Sequence, residues 1–239
     1  MRTTTSNTIG LGHLRDLLRE VPEGADLSGY ASAIVEENVL GRPSAAGRKR
    51  TLRHLRELYL LDPARPEFLV LRRLWDADPT AQPLLACLLA FTRDELLRDS
   101  FVAVREASLG SVVTSIDLAA ATGAASGSGL SPATLAKVGR NTGSCWTQTG
   151  HLTGHAVKRR TTAIATPASV AYAVFLGYLC GLRGFLLLDT PWTALLDVDA
   201  KRLRSLIDDA ARAGFLSVRS AGQVLDIDVG PLLGDAGGA

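Results

Sequence analysis

The chain is poor in aromatic side chains: 5% of its 239 residues are Phe, Trp or Tyr. Such a supply argues against a carbohydrate-stacking surface or an aromatic cage for a quaternary ammonium, both of which are built from those rings. Cysteine is also scarce. Cys87, Cys145 and Cys180 are odd in number and irregular in spacing, which excludes a regular disulfide framework and suits buried free thiols in a reducing compartment. The opening string MRTTTSNTIGLGHLRDLL lacks an apolar core of signal-peptide length. A cytoplasmic protein is therefore expected.

Catalytic signatures are missing as well. GAASGSG (residues 123–129) is rich in glycine but lacks the GxxxxGK[ST] pattern of a phosphate cradle, so it reads as a linker. Acids do not cluster as in a nuclease, and no Ser or Cys nucleophile has an evident base. His151 and His155 have i,i+4 spacing near Cys145, but Gly154 and the extended texture around them work against a metal pair. The expectation is no enzyme, no cofactor, no metal and no small-molecule substrate.

A long apolar run is present once, VAYAVFLGYLCGLRGFLLL, from Val170 to Leu188. Arg183 lies within it, three glycines interrupt it and Asp189 ends it. An arginine at a bilayer centre costs about 2.5–3.5 kcal/mol. We expect a buried helix that turns at Gly181–Gly184 into a short core strand, FLLL, and no membrane association.

What the chain does have is leucine, alanine and helix punctuation, which predict a mainly α protein. Residues 1–110 read as a helical bundle: HLRDLLREV, then ASAIVEENVL, then a helix capped by Ser44. EFLVLRRLW follows, then an apolar helix from about Thr80 and one capped by Thr92 that stops at Gly110. Residues 111–239 differ in texture. Thr114-Ser-Ile-Asp117 resembles a capping box, and Ser131-Pro132 is an N-cap followed by proline at the first helical position. Gly139 is expected to stop that helix, SCWTQT to form a second one, and HLTGHAVKRRTTAIAT to form a β-ribbon. Helix, turn, helix and ribbon make a winged helix-turn-helix. A second such unit is expected over 185–233, with Asp199 capping DAKRLRSLIDDAARA and FLSVRSAGQVLDIDV folding as two strands. Its ribbon carries Asp226 and Asp228 and looks poorly suited to phosphate.

Charge placement supports a nucleic-acid role for the first unit. Net charge is only +2, but Leu130–Arg160 holds five Lys or Arg and no acid. On the expected second helix, Arg140, Asn141, Thr142, Ser144 and Gln148 are candidates for base edges, since Arg suits guanine and Asn or Gln suits adenine. Trp146 and Leu152 are core candidates. Lys158, Arg159 and Arg160 are expected to reach phosphates from the ribbon. Arg48, Lys49, Arg50 and Arg53 are possible secondary phosphate contacts, if their helix packs beside the winged unit.

The strings SAIVEENVLGRPSAAGRKRTLRHLRELYLL and PLLACLLAFTRDELLRDSF resemble the N-terminal part of the BrxA family, accessory proteins of bacterial BREX phage-defence systems. The GHL before a basic ribbon, YAVFLGYLCGLRG and the GFL…VLDIDV ending resemble the same family. The resemblance implies a non-enzymatic double-stranded DNA binder that works beside other BREX components. It carries no motif of functional residues, so the contact assignments rest on the residues themselves. A protein–protein adaptor for a larger defence enzyme and a sequence-specific transcriptional regulator are the alternatives.

Overall fold

The computed structural model describes residue 4 and residues 6–125, 129–222 and 224–234. Among these residues the chain is mainly helical, with two small antiparallel sheets. In order, the helices are α1 (Leu11–Glu20), α2 (Leu27–Val35), α3 (Ala45–Tyr59), α4 (Pro66–Ala77), α5 (Gln82–Arg93), α6 (Glu95–Arg105), α7 (Ser115–Ala125) and α8 (Pro132–Gln148). The strands β1 (Leu152–Thr153) and β2 (Arg159–Arg160) follow, then α9 (Pro167–Leu179), α10 (Pro191–Ala194), α11 (Ala200–Arg212), β3 (Ser217–Ala221), β4 (Val224–Asp228) and α12 (Gly230–Leu233). Short 3-10 turns occupy Pro79–Ala81 and Gly184–Leu188.

The chain divides into two compact units, each assembled from two separate segments: residues 1–63 with 89–162, and residues 64–88 with 163–239. The boundary expected at residue 110 falls inside the first unit. Local periodicity shows helices but not which of them share a core, because that depends on contacts between residues far apart in sequence.

In the first unit, Leu14, Leu17, Leu55, Leu58, Leu97 and Trp146 are buried to within 1% exposure. The rings of Phe101 and Trp146 lie 5.2 Å apart, and His151 sits edge-on to Trp146 at 5.1 Å. Several polar groups drawn into this core find partners there. The Trp146 indole Nε1 donates to Ser100 Oγ at 2.9 Å, and the Tyr59 hydroxyl donates to the Ile9 carbonyl at 2.6 Å. Asp94, fully buried, caps α6 by accepting from the amides of Leu96 and Leu97 and also accepts from the Thr4 amide at 2.7 Å. It takes the role expected of Thr92. A carboxylate two residues nearer the first turn offers two oxygens, enough for the helix end and the incoming N-terminal segment together.

The second unit is built on α9, whose residues from Ala168 to Gly177 are all buried. Thr166 and Ser169 close a reciprocal capping box at its start. The Tyr172 hydroxyl donates to the Glu67 carbonyl at 2.8 Å, and complete burial raises its pKa well above the ordinary phenolic value. No helix among the described residues is long and apolar enough to cross a membrane. The expected strand at FLLL is instead a 3-10 turn that buries Leu187 and leaves Phe185 and Leu186 exposed. That burial lacks the alternation of a strand. Arg183 stacks on the Tyr178 ring, 3.6 Å from its centroid. Asp199 caps α11 as expected, Thr190 caps α10, and β3 pairs with β4 from Ser217↔Asp228 to Ala221↔Val224.

Candidate nucleic-acid interface

The predicted helix, turn and helix over 131–149 form one continuous helix, α8. Ser131 caps it as expected, its hydroxyl accepting from the Thr134 amide. Gly139 does not end it. A Cβ built at 139 would lie 2.0 Å from the Ser115 carbonyl oxygen and 3.1 Å from Ala119. The glycine is there because the start of α7 crosses α8 at backbone contact, a distance that only a residue without a side chain permits. The expected box at the start of α7 does form: the Asp117 amide donates to Thr114 Oγ1 at 3.2 Å and the Thr114 amide to Asp117 Oδ2 at 2.8 Å.

After α8 the chain makes a narrow hairpin. Leu152 pairs with Arg160 and Thr153 with Arg159, while Val112 forms a bridge on the outer side of Arg159. Gly154, at φ 100°, allows the tight return, since a Cβ there would lie 2.1 Å from the Val157 carbonyl. Lys158 reaches back to α8, its ammonium donating to Thr147 Oγ1 at 3.0 Å. Between hairpin and helix lies a groove of about 500 Å³. Arg140, Ser144, His155 and Lys158 line it, and no acid does.

The eight primary candidates separate by burial. Arg140 is exposed on the outer face of α8, Ser144 is half-buried beside it, and Lys158 and Arg159 stand on the hairpin. Arg159 also donates to the Gly110 carbonyl at 2.9 Å. Thr142 is fully buried, and its hydroxyl bonds back to the Val138 carbonyl one turn earlier. Asn141 donates to the Thr4 carbonyl at 2.7 Å, and Gln148 accepts from the Leu11 amide at 3.1 Å. These two amides hold the N-terminal segment and do not share the groove of Arg140. Arg160 is 7% exposed; its Nε donates to the Val104 carbonyl at 2.8 Å and another guanidinium nitrogen bonds the Thr161 carbonyl. It is an internal anchor because β2 alternates, one residue out and the next in.

Among the secondary candidates, Lys49, Arg50 and Arg53 are exposed, whereas Arg48 is half-buried and donates to the Val35 carbonyl at 2.8 Å. Lys137 was missed. It is exposed, three residues before Arg140 and so on the same face of α8. The i,i+3,i+7 series Lys137, Arg140, Ser144 becomes visible once 132–148 is read as a single helix. Of the two histidines, His151 is buried with Nδ1 2.8 Å from the Thr149 hydroxyl, while His155 is exposed. No group of three potential metal ligands occurs among the described residues. Compared with known proteins, the chain matches no protein-family model and no curated relative.

Proposed function

We propose that the first unit binds double-stranded DNA through the outer face of α8 and the 152–160 hairpin. The observation that carries the reading is the acid-free groove in which Lys158 of the hairpin is drawn against the helix that bears Arg140. The order of elements supports a winged helix-turn-helix: α6, the extended segment at Val112, α7, α8 and then a hairpin whose second strand bridges back to Val112. In this reading α7 and α8 are the helix pair, and α8 alone enters the major groove. The order α9, 3-10 segment, α10, α11, hairpin in the second unit supports the same reading there. The exposed Lys201, Arg202 and Arg204 on the first turns of α11 then replace its acidic ribbon as the DNA-facing groups. Resemblance to the BrxA family adds the biological setting, an accessory role in a BREX-type defence system.

The test is a salt titration of duplex affinity. Each phosphate contact contributes a log–log slope of about −0.9, so Lys137→Ala with Arg140→Ala should flatten the slope by up to about 2 units and weaken binding to all sequences alike. Lys49→Ala with Arg53→Ala should leave it in place. If the second pair abolishes the salt dependence and the first pair does not, the α3 surface binds the duplex and the reading fails.

An adaptor role is the second reading, favoured by the apolar side chains left exposed around the hairpin: Leu109 at 68%, Ile116 at 77% and Val157 at 57%. It predicts duplex binding no stronger than that of an unrelated protein of similar charge.

A further inference from the structure

A larger cleft, of about 800 Å³, lies in the same unit and shares no lining residue with the hairpin groove. The N-terminal ends of two helices open into it: Gly10, Gly12 and His13 at the start of α1, and Ser44 and Gly47 at the start of α3. Neither helix has an acid in its first turn, and α1 has no side-chain cap. The Leu11 amide is taken by Gln148 and the Gly47 amide by Ser44; the other first-turn amides and the positive dipole of each end are offset by no acid.

Four basic side chains line the same space. Arg42 donates to His13 Nε2 at 2.8 Å, an arrangement that requires His13 to be neutral. Arg50 is exposed and forms no hydrogen bond or ion pair among the described residues. His54 is 7% exposed; its Nε2 meets the Thr8 carbonyl at 2.8 Å and its Nδ1 has no partner. Arg42 likewise keeps a buried Nε without one. The lining's single acid, Asp16, is already paired with Arg19 at 3.1 Å.

Gly12 adds an argument from vacancy. A Cβ at this position meets no atom within 4 Å, so nothing in the protein requires a glycine. Glycine inside a helix is less stable than alanine. A glycine here leaves its part of the cleft lining bare. Two amides supply further capacity: Asn141 commits its nitrogen to Thr4 and Gln148 its oxygen to Leu11, which leaves an acceptor oxygen on the first and a donor nitrogen on the second.

We infer that this cleft binds a nucleoside phosphate. Convergent helix ends and guanidinium groups suit the several oxygens of a di- or triphosphate better than a single carboxylate. The leftover amide donor and acceptor suit the edge of a base, and the volume falls in the range of small-molecule sites. This departs from the expectation that no small molecule is involved, and it does not depend on the DNA reading.

The experiment is calorimetric titration of the intact protein with ADP, GDP, CDP and UDP in turn. At least one should bind saturably, and Arg50→Ala, which alters only an exposed unpaired side chain, should weaken it about tenfold or more. Arg42→Ala should weaken it further, while Lys137→Ala with Arg140→Ala leaves it unchanged. Absence of binding by all four at millimolar concentration, or equal binding by wild type and Arg50→Ala, overturns the inference. So does displacement of the bound nucleotide by a short duplex, which would assign the cleft to backbone phosphate.

Discussion

Replacing Gly139 by alanine tests the helix crossing on which the proposed interface is built. The new methyl would begin 2.0 Å from the Ser115 carbonyl oxygen, and an ordinary contact starts at 3.4 Å, so α7 and α8 must separate locally by 1.4 Å. The obstacle is backbone, which cannot rotate aside as a side chain can. Overpacking of this kind costs about 1–3 kcal/mol, and the better helix propensity of alanine returns only about 0.5–1. For a chain of this size each kcal/mol moves the melting midpoint by roughly 2–4 °C, so Gly139→Ala should melt up to about 10 °C below wild type. Gly123→Ala is the matched control on the partner helix. There the methyl meets only Leu135 side-chain carbons, at 3.5 and 3.7 Å, and propensity should raise the midpoint by roughly 1–4 °C. Circular dichroism melts of the three proteins decide the matter. If Gly139→Ala is as stable as wild type or more so, the close crossing is wrong, and residue 139 behaves like the helix stop that its sequence context suggests.

Two further perturbations probe the first unit. Burial lowers the pKa of both His13 and His54 below 6.5, with the Arg42 charge adding to the effect on His13. The unfolded chain therefore takes up protons that the native state refuses, and stability present above pH 6.5 should fall as pH drops through it. Asp94, raised by burial, titrates with the opposite sign. The diagnostic is thus the comparison with His54→Gln, whose melting midpoint should change less than wild type's between about pH 7.5 and 5.5; equal pH dependence would contradict the assignment. Ser100→Ala removes the acceptor of the fully buried Trp146 indole and should cost about 1–3 kcal/mol in urea unfolding. The double variant with Trp146→Phe should lose less than the sum of the two single changes, and strict additivity would deny the bond.

Signals that act over one helical turn were legible in the sequence. Ser44, Thr114 with Asp117, Ser131 and Asp199 all cap the helices they were expected to cap. Errors arose where a residue answers to something distant. Gly139 has the look of a stop until the Ser115 carbonyl is known to lie against it. Asn141 and Gln148 look like base readers until the N-terminal segment, 137 residues away in each case, is found bonded to them. Arg160 belongs to a run of three cations, yet only its position on the inward side of β2 shows that it cannot meet solvent. Charge counted along the chain does not tell which side chain of a cationic run meets solvent.

The interleaved path of the chain has a consequence for biosynthesis. Residues 64–88 belong to a unit whose remainder begins at residue 163, and residues 1–63 must wait for 89–162. On the ribosome the first unit can close once residue 162 has emerged, while the apolar side chains of Phe68, Val70, Leu71, Leu74 and Trp75 still lack α9. Nascent chains stalled when residue 162 has just cleared the ribosomal exit tunnel should therefore expose a sticky insert in an otherwise finished body, a substrate suited to a ribosome-bound chaperone. For the same reason no single cut divides the protein into two self-sufficient halves. Separating the units requires joining residue 63 to residue 89 and permuting or splicing the rest.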